Sequence, residues 1–422
     1  MYQPSLTDLT EPAKLRVGLI GFGCVGQGFH TILSQLPEAE LVVARIAVKT
    51  PGKARPLPAE QFEFDAHALV QDPELDVLVE VIDDADEAFQ LVSAALRLGR
   101  RVVTANKAML ARHLNTLLRL ELDYGGTLLY EAAVAGSIPV LRTLDSYFGS
   151  EPLLALRGIL NGSSNYVLTR MSEEGSDYAT ALAEAQRLGF AETDPALDMA
   201  AFDPRSKAVL LAAHAFGTLV HPERVLNLGI ENITPADLEY AAAQGKKIKV
   251  IAEIRQAGPG SVSLAVLPRL VDAQSPLYAV EREMNGIELE AAYAGSQFLR
   301  GKGAGSFPTG SAVLADVRAL QRGQRYEYSK LGADDRPRLA PNLETEVYLR
   351  ASSAEALEEV AQWLELPAPN GQHFLTGTVR LEALLARRDA LREAGVFVAG
   401  IGEIQPAALP VASIQEAAVL AA

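Results

Sequence analysis

From Leu15 the chain runs LRVGLIGFGCVGQGFHTIL: a short apolar stretch, a glycine-rich turn, then helically spaced apolar residues. This pattern predicts a strand, a tight connection and a helix. ELVVARIAVK supplies a second strand, LDVLVEVID a third, FQLVSAALRLG a helix, RRVVTANK a fourth strand and TLLYEAAV a fifth. Apolar strands alternating with helices at this pitch predict an α/β domain with a doubly wound parallel sheet.

After about Ser146 strands become sparser and alanine-rich helices appear, as in DYATALAEAQRLG and SKAVLLAAHAFGTL, which predicts a second domain of α+β character. A Gly, Ser and Pro-rich loop leads into a helix in GKGAGSFPTGSAVLADVRALQR, from Gly301 to Arg322, and could carry the chain back to the first domain. SKLGADDRPRLAPNLE reads as a linker. Beyond it TEVYLRA, SAEALEEVAQWLEL, QHFLTGTVR, LEALLARRDALREAG and VFVAGIGEI alternate strand and helix, predicting a small separate module over 344–422. The domains expected are 1–145, completed by about 301–325, then 146–300, then that module.

Composition sharpens this picture by exclusion. A chain of 422 residues with 49% hydrophobic residues can bury more than one core. Its net charge of −15 and lack of a clustered basic face argue against nucleic acid as a partner. The single cysteine, Cys24, cannot form an internal disulfide, and its place in a glycine loop suggests a packing role. MYQPSLTDLTEPAK lacks the apolar core of a signal peptide, and the longest nearly apolar run, AVLLAAHAFGTLV, is too short to span a bilayer. No membrane association and a cytoplasmic location are expected.

The loop GFGCVG, from Gly21 to Gly26, is a G-x-G-x-x-G placed directly after a strand and opening a helix. In that context its glycines allow a tight turn, close approach of a pyrophosphate and close helix packing, the signature of a Rossmann-type dinucleotide site. A ribose-binding acid is usual at the end of the second strand. Here AVKTPGKAR offers Lys49, Lys53 and Arg55 instead, which suits a 2′-phosphate and tilts the choice toward NADP, with NAD open; a solvated basic loop explains these residues equally. GFAETDPALDMAAFDPRSK, Gly189 to Lys207, sets Glu192, Asp194, Asp198 and Asp203 ahead of a lone lysine. Asp194 before Pro195 fits a turn, and Asp203 with Pro204 fits a helix cap, a pocket or both.

TANKAML (Thr104 to Leu110), YEAAVAGSIPV (Tyr130 to Val140), GILNGSSNYVLTRM (Gly158 to Met171), the opening stretch and GKGAGSFPTGSAVLADV follow one another with the order and spacing of homoserine dehydrogenase. The chain resembles that family over about Leu15 to Arg322. The resemblance implies interconversion of L-homoserine and L-aspartate 4-semialdehyde with NAD or NADP, in the pathway to threonine and methionine, by a homodimer. It implies cofactor contacts from Gly21, Phe22, Gly23, Cys24, Val25 and Gly26, from Thr104 and Lys107, and from Gly303 and Gly305. Lys207 matches the catalytic lysine, and Lys107 a second lysine beside the nicotinamide and the substrate. Glu192 and Asp203 match substrate-binding carboxylates, and Asp198 a further acidic position; Asn161 and Ser163, in NGSSN, suit the substrate carboxylate or cap a helix. Glu131, Val134, Gly136 and Ile138 would wrap Na+ or K+ with backbone carbonyls, where a plain strand-to-loop transition is the alternative.

The chemistry of the substrate fits these residue types. Homoserine carries an ammonium, a carboxylate and a hydroxyl, which call for carboxylates, for amides or a cation, and for a proton acceptor. The chain also departs from the family pattern: Asp83 and Asp84 stand where a glycine pair is usual and would repel a pyrophosphate, Ser137 and Ala201 replace glycines, and Ser163 and Ser164 replace threonines. Ala201 is harmless if its φ is negative. The last module is compatible with an ACT-type regulatory domain but lacks a D-x-P-G turn, so dimer contacts are an alternative role. The rivals to an active homoserine dehydrogenase are a dehydrogenase of the same architecture acting on another amino-acid aldehyde and a catalytically idle dinucleotide-binding sensor.

Overall fold

The computed structural model of the chain describes residues 14–36, 40–332, 336–366 and 373–407. Most of the amino-terminal stretch, part of the linker and the carboxyl-terminal end of the last module lie outside the described residues. The chain divides into two compact units, Met1–Tyr147 with Gly301–Glu327, and Phe148–Arg300 with Tyr328–Ala422.

The first unit is built on a six-stranded parallel sheet: β1 Leu15–Ile20, β2 Leu41–Ala47, β3 Phe62–Glu63, β4 Val77–Glu80, β5 Arg101–Thr104 and β6 Thr127–Leu129. The order β3-β2-β1-β4-β5-β6 reverses between β1 and β4, which opens a crevice at their carboxyl ends. Helices α1 Cys24–Ser34, α2 Ala66–Gln71, α3 Ala85–Arg97 and α4 Lys107–Tyr124 connect the strands. The caps explain where they begin: Asp65, Asp84 and Asn106 each accept bonds from first-turn N–H groups. β3 was not expected, because two residues carry no periodicity. TLLYEAAV is extended only as far as Leu129 and then turns into a 3-10 helix, Glu131–Ala133.

The chain returns to this unit as the helix Ser306–Gln321, which lies against α1. Two glycines permit that approach. A Cβ on Gly28 would sit 2.1 Å from the Ser306 carbonyl oxygen, and one on Gly310 would sit 2.5 Å from the Phe29 nitrogen.

The second unit carries an eleven-stranded sheet, so strands are not sparser there. Its elements are β7 Leu153–Ile159, β8 Leu226–Asn227, β9 Lys246–Gly258, β10 Ser261–Asp272, β11 Met284–Ala291, β12 Gly295–Lys302, β13 Arg338–Leu339, β14 Leu343–Arg350, β15 Phe374–Arg380, β16 Phe397–Gly400 and β17 Gln405–Pro406. The path is β12-β11-β7-β9-β10-β16-β14-β15, with β8 and β13 on β10 and β17 on β14. The long β9–β10 hairpin escaped the sequence reading because buried Lys249 and Glu253 interrupt the apolar face. Helices α5 Gly162–Glu174, α6 Tyr178–Arg187, α7 Ala196–Met199, α8 Phe202–Phe216 and α9 Pro235–Ala242 belong to this unit, followed by α10 Ala354–Trp363 and α11 Leu381–Glu393.

The carboxyl-terminal segment is not a separate module. Arg269 of β10 pairs in parallel with Gly400 of β16, and one core joins Leu226, Ala265 and Leu267 to Val347, Leu357 and Leu384. Among the described residues it runs β14-α10-β15-α11-β16, one strand short of the βαββαβ order of ferredoxin-like modules.

Candidate active site

The glycine loop behaves as its spacing requires. Gly21 has φ +101°, and a Cβ there would meet the Val81 carbonyl oxygen at 2.8 Å; a Cβ on Gly26 would meet the Gly21 oxygen at 2.4 Å. Gly23 faces open space with nothing within 4 Å, and as N-cap of α1 it supplies no side-chain bond to the first-turn N–H groups. Those donors at a helix N-terminus suit a phosphate, so the residues present fit a dinucleotide. Phe22 and Val25 sit in the same loop, with the Phe22 ring edge-on to Phe62. Cys24 is exposed rather than packed.

Thr104 and Lys107 stand at the carboxyl end of β5. The buried Thr104 hydroxyl donates to Glu80 at the end of β4 and accepts from the Asn106 N–H at 3.0 Å. Asn106 caps α4 and donates to the Ile82 carbonyl at 3.1 Å, which ties the loops after β4 and β5 together and places Lys107 in the first turn of α4. Glu80 is a residue the sequence reading passed over. Burial pushes its carboxyl up to about 7, against the bonds from Thr104 and the Ile82 N–H. A charged residue closing the apolar run LDVLVE was the available signal.

Asp84 caps α3, accepting from Asp86 and Glu87 N–H groups at 3.0 Å, and Asp83 is exposed. Lys49, just beyond β2, lies 3.1 Å from Glu87 and 3.8 Å from Asp84. Arg55 folds back onto the Thr50 and Lys53 carbonyls and over the Phe62 ring, while Lys53 is exposed.

Near the proposed cation loop, Gly136 has φ +55° and lies so close to Gly303 that a Cβ would approach its carbonyl at 2.6 Å. Ser137, in the usual glycine position, donates to the Lys302 carbonyl through its N–H and its hydroxyl, both at 3.1 Å. Gly305, with φ +115°, is the N-cap of the return helix. The Glu131 carboxylate accepts from the Leu141 and Arg142 N–H groups at 2.8 Å, and burial pushes it up to about 7. Asp316, fully buried, accepts from the Glu131 N–H at 2.9 Å and pairs with Arg142; burial and the Glu131 charge push it up to about 8. Val134 and Ile138 are buried in the same turn. Among the described residues no cluster of His, Cys, Asp and Glu could hold a metal ion.

In the second unit the stretch Gly189–Lys207 folds into a bend, the short helix α7 and the start of α8. It gathers four of the expected residues. The Lys207 ammonium donates to the Leu160 carbonyl at 2.7 Å and pairs with Asp203, one turn earlier, at 2.7 Å. The Asn161 amide donates to Asp198 at 2.7 Å and to Asp203 at 2.9 Å, while its oxygen caps α5 by accepting from the Ser164 N–H. Asn161 is thus both a cap and a member of the polar cluster. Asp203, Lys207 and Asn161 are buried, and burial followed by the Asp203 charge raises the Asp198 carboxyl above its ordinary value. The lysine, the two carboxylates and the amide thus form one hydrogen-bonded polar group, with Asp203, Lys207 and Asn161 buried.

Glu192 is exposed and makes no bond to this cluster; its carbonyl accepts from Gln186. The Ser163 hydroxyl donates to the Phe190 carbonyl at 2.6 Å. Asp203 is not a helix cap: α8 begins at Phe202, which places Asp203 inside its first turn with Ala201 as N-cap. The condition that excused Ala201 fails as well, since its φ is +60° in a buried position. Asp194 does form the expected turn, accepting from the Ala196 N–H at 3.1 Å.

The parallel sheet, the glycine cradle at its switch point and the buried lysine cluster define a Rossmann-type nicotinamide-dependent oxidoreductase. Two family models match, the homoserine dehydrogenase NAD binding domain over residues 21–131 and homoserine dehydrogenase over residues 139–317. The homoserine dehydrogenases of Corynebacterium glutamicum and Bacillus subtilis are 38% and 35% identical, the first over 72% of each chain and the second over 74% of each. The crystal structure of a homoserine dehydrogenase from Thiobacillus denitrificans superposes with a TM-score of 0.78 at 30% identity, covering 92% of this chain and 98% of that one. The chain therefore belongs to the homoserine dehydrogenase family, NAD(P)-dependent oxidoreductases acting on a CH–OH group. No helix among the described residues is long and apolar enough to cross a membrane.

Proposed function

We propose that Lys207 is the group that handles the proton as L-homoserine and L-aspartate 4-semialdehyde are interconverted. The observation that supports this is the Asn161–Asp198–Asp203–Lys207 cluster. Gly21–Gly26, with Thr104, Lys107, Gly303 and Gly305, would hold NAD(P), which would supply the hydride acceptor or donor. Asp203 and the Leu160 carbonyl orient the Lys207 ammonium, which polarises the substrate oxygen and exchanges its proton. Glu192 and Asp203, with Asp198 as a further acid, take the substrate ammonium, and Asn161 and Ser163 orient its carboxylate. Lys107, in the first turn of α4, would stand beside the nicotinamide and add positive charge near the oxygen that becomes anionic.

We assign NADP as the preferred cofactor, because Lys49, Lys53 and Arg55 follow β2 where a carboxylate would favour NAD. A monovalent cation on the carbonyls of Glu131, Val134, Gly136 and Ile138, a homodimer and a cytoplasmic location complete the reading, all by family resemblance.

The test is the initial rate of homoserine oxidation with NADP and with NAD, for wild type, Lys207→Ala and Lys207→Arg. Loss of the amine is expected to lower kcat by at least about 10³-fold. The arginine variant keeps the charge beside Asp203 but cannot accept a proton, and is expected to fall comparably while staying folded. A Lys207→Arg enzyme within ten-fold of wild type would overturn the proton role. Lys49→Ala with Lys53→Ala is expected to raise KM for NADP about ten-fold and leave KM for NAD unchanged, corresponding to about 1.4 kcal/mol.

A further inference from the structure

The turn that launches α8 is held in an unfavourable shape. Ala201 is a buried non-glycine residue at φ +60° and ψ 29°, a left-handed conformation that L-residues disfavour because the Cβ crowds the following carbonyl oxygen. Such strain persists only where the surroundings impose it. Here the Asn227 amide donates to the Ala200 carbonyl at 2.7 Å and the Ile230 N–H donates to the Met199 carbonyl at 2.8 Å. Gly229 presses so near that a Cβ would lie 1.8 Å from the Met199 oxygen.

Asn227 is itself completely buried, and its oxygen accepts from two guanidiniums, Arg205 of α8 at 3.1 Å and Arg388 of α11 at 2.8 Å. The same two arginines, with Arg392 of α11, surround the ring of Phe202, their guanidinium carbons 4.9, 5.8 and 5.4 Å from its centre. Glu223 lies 2.8 Å from Arg205 and 3.8 Å from Arg388, and Glu231 lies 2.7 Å from Arg392, which offsets the mutual repulsion of the three cations. Phe202 immediately precedes Asp203, and Lys207 follows one turn later. The carboxyl-terminal segment, beyond the residues matched by either family model, therefore grips the first residue of the helix that carries the proton-handling pair.

We propose that Arg388 is a positioning residue for the reaction: through Asn227 and Phe202 it holds the strained Ala200–Phe202 turn and so sets the orientation of Asp203 and Lys207. This rests on the role of Lys207 given above. Arg388 bonds to Asn227 and packs over Phe202, so its effect is expected on the homoserine step with cofactor binding unchanged.

The test compares wild type, Arg388→Met, Ala201→Gly and the double variant in steady-state kinetics on the full chain. Methionine keeps an unbranched apolar stem on Phe202 while removing the bond to Asn227. Arg388→Met is expected to lower kcat/KM for homoserine at least ten-fold with KM for NADP within two-fold. Glycine adopts φ +60° without cost, so Ala201→Gly is expected to restore the double variant to within about three-fold of wild type. An Arg388→Met enzyme within two-fold of wild type, a parallel rise in KM for NADP, or no recovery by Ala201→Gly would overturn the proposal. Hydrogen exchange of residues 199–207 separates this from the underlying reading. If wild type fails to oxidise homoserine, the Lys207 role falls; faster exchange in Arg388→Met still supports the hold on the turn, and unchanged exchange removes it.

Discussion

Gly23→Ala isolates cofactor binding from folding. Gly23 has φ −81°, which alanine adopts without strain, and a Cβ built there meets nothing within 4 Å. Its folding contribution is therefore the reduced entropy of the unfolded chain, a gain of roughly 0.4–1 kcal/mol. The same methyl projects at the N-terminus of α1, where a pyrophosphate must approach the backbone. A displaced phosphate loses one or two charge-assisted bonds worth about 1.5–3 kcal/mol each, so NADP affinity is expected to fall at least ten-fold. Nucleotide affinity is read by fluorescence titration and stability by urea unfolding. Gly28→Ala is the control, because its Cβ would lie 2.1 Å from the Ser306 oxygen and the two helices must separate. It is expected to cost roughly 1–3 kcal/mol of stability as an overpacked contact. If Gly23→Ala binds NADP as tightly as wild type, the assignment of this loop to the pyrophosphate is wrong.

Asn161→Ala removes a helix cap worth about 1 kcal/mol and a donor to the buried Asp203 and the half-buried Asp198 carboxylates, so it is expected to destabilise the chain by about 3 kcal/mol in urea and to raise KM for homoserine. The pH dependence of stability follows from Glu80, Glu131 and Asp316, whose carboxyls are raised to about 7, 7 and 8. A raised carboxyl pKa means the folded state holds the proton more tightly, so this contribution is present at acid pH and is lost as pH rises from about 4.5 through 7 to 8. Thermal melts between pH 5 and 8.5 are expected to show a falling midpoint, and Glu80→Gln to flatten it; a midpoint that climbs over that range would refute the assignment of these groups.

The legible part of the molecule was the part where local pattern and fold agree. Apolar runs such as VGLI and VLVE, broken by Gly21, Asp84 and Asn106, spell strand ends and helix starts. The Lys207 cluster was found through its motif, because i,i+4 spacing on a helix brings Asp203 to the lysine. Buried charge hid the rest. Lys249 is fully enclosed, donating to Asn165, Glu281 and the Val280 carbonyl, and in sequence it resembles any solvated lysine. Glu253 lies inside a ring of Arg157, Arg255 and Arg269, drawn from three strands. No short window shows such partners, and the left-handed turn at Ala201 is marked only by the family's usual glycine at that position, not by the alanine itself.

The seating of the return helix against α1 also sets a schedule for biosynthesis. The hydroxyl of Ser306 donates to the carbonyl of Cys24, so the opening βα element is closed by residues 282 positions later. At about 5–20 residues per second, a ribosome emits that closing segment roughly 15–60 s after the glycine loop. During that interval the nascent nucleotide fold exposes the face of α1 that Gly28 prepares for Gly310, a surface open to chaperones and to misassociation. A fragment ending at Tyr147 would keep that face uncovered permanently, however long it was given to fold.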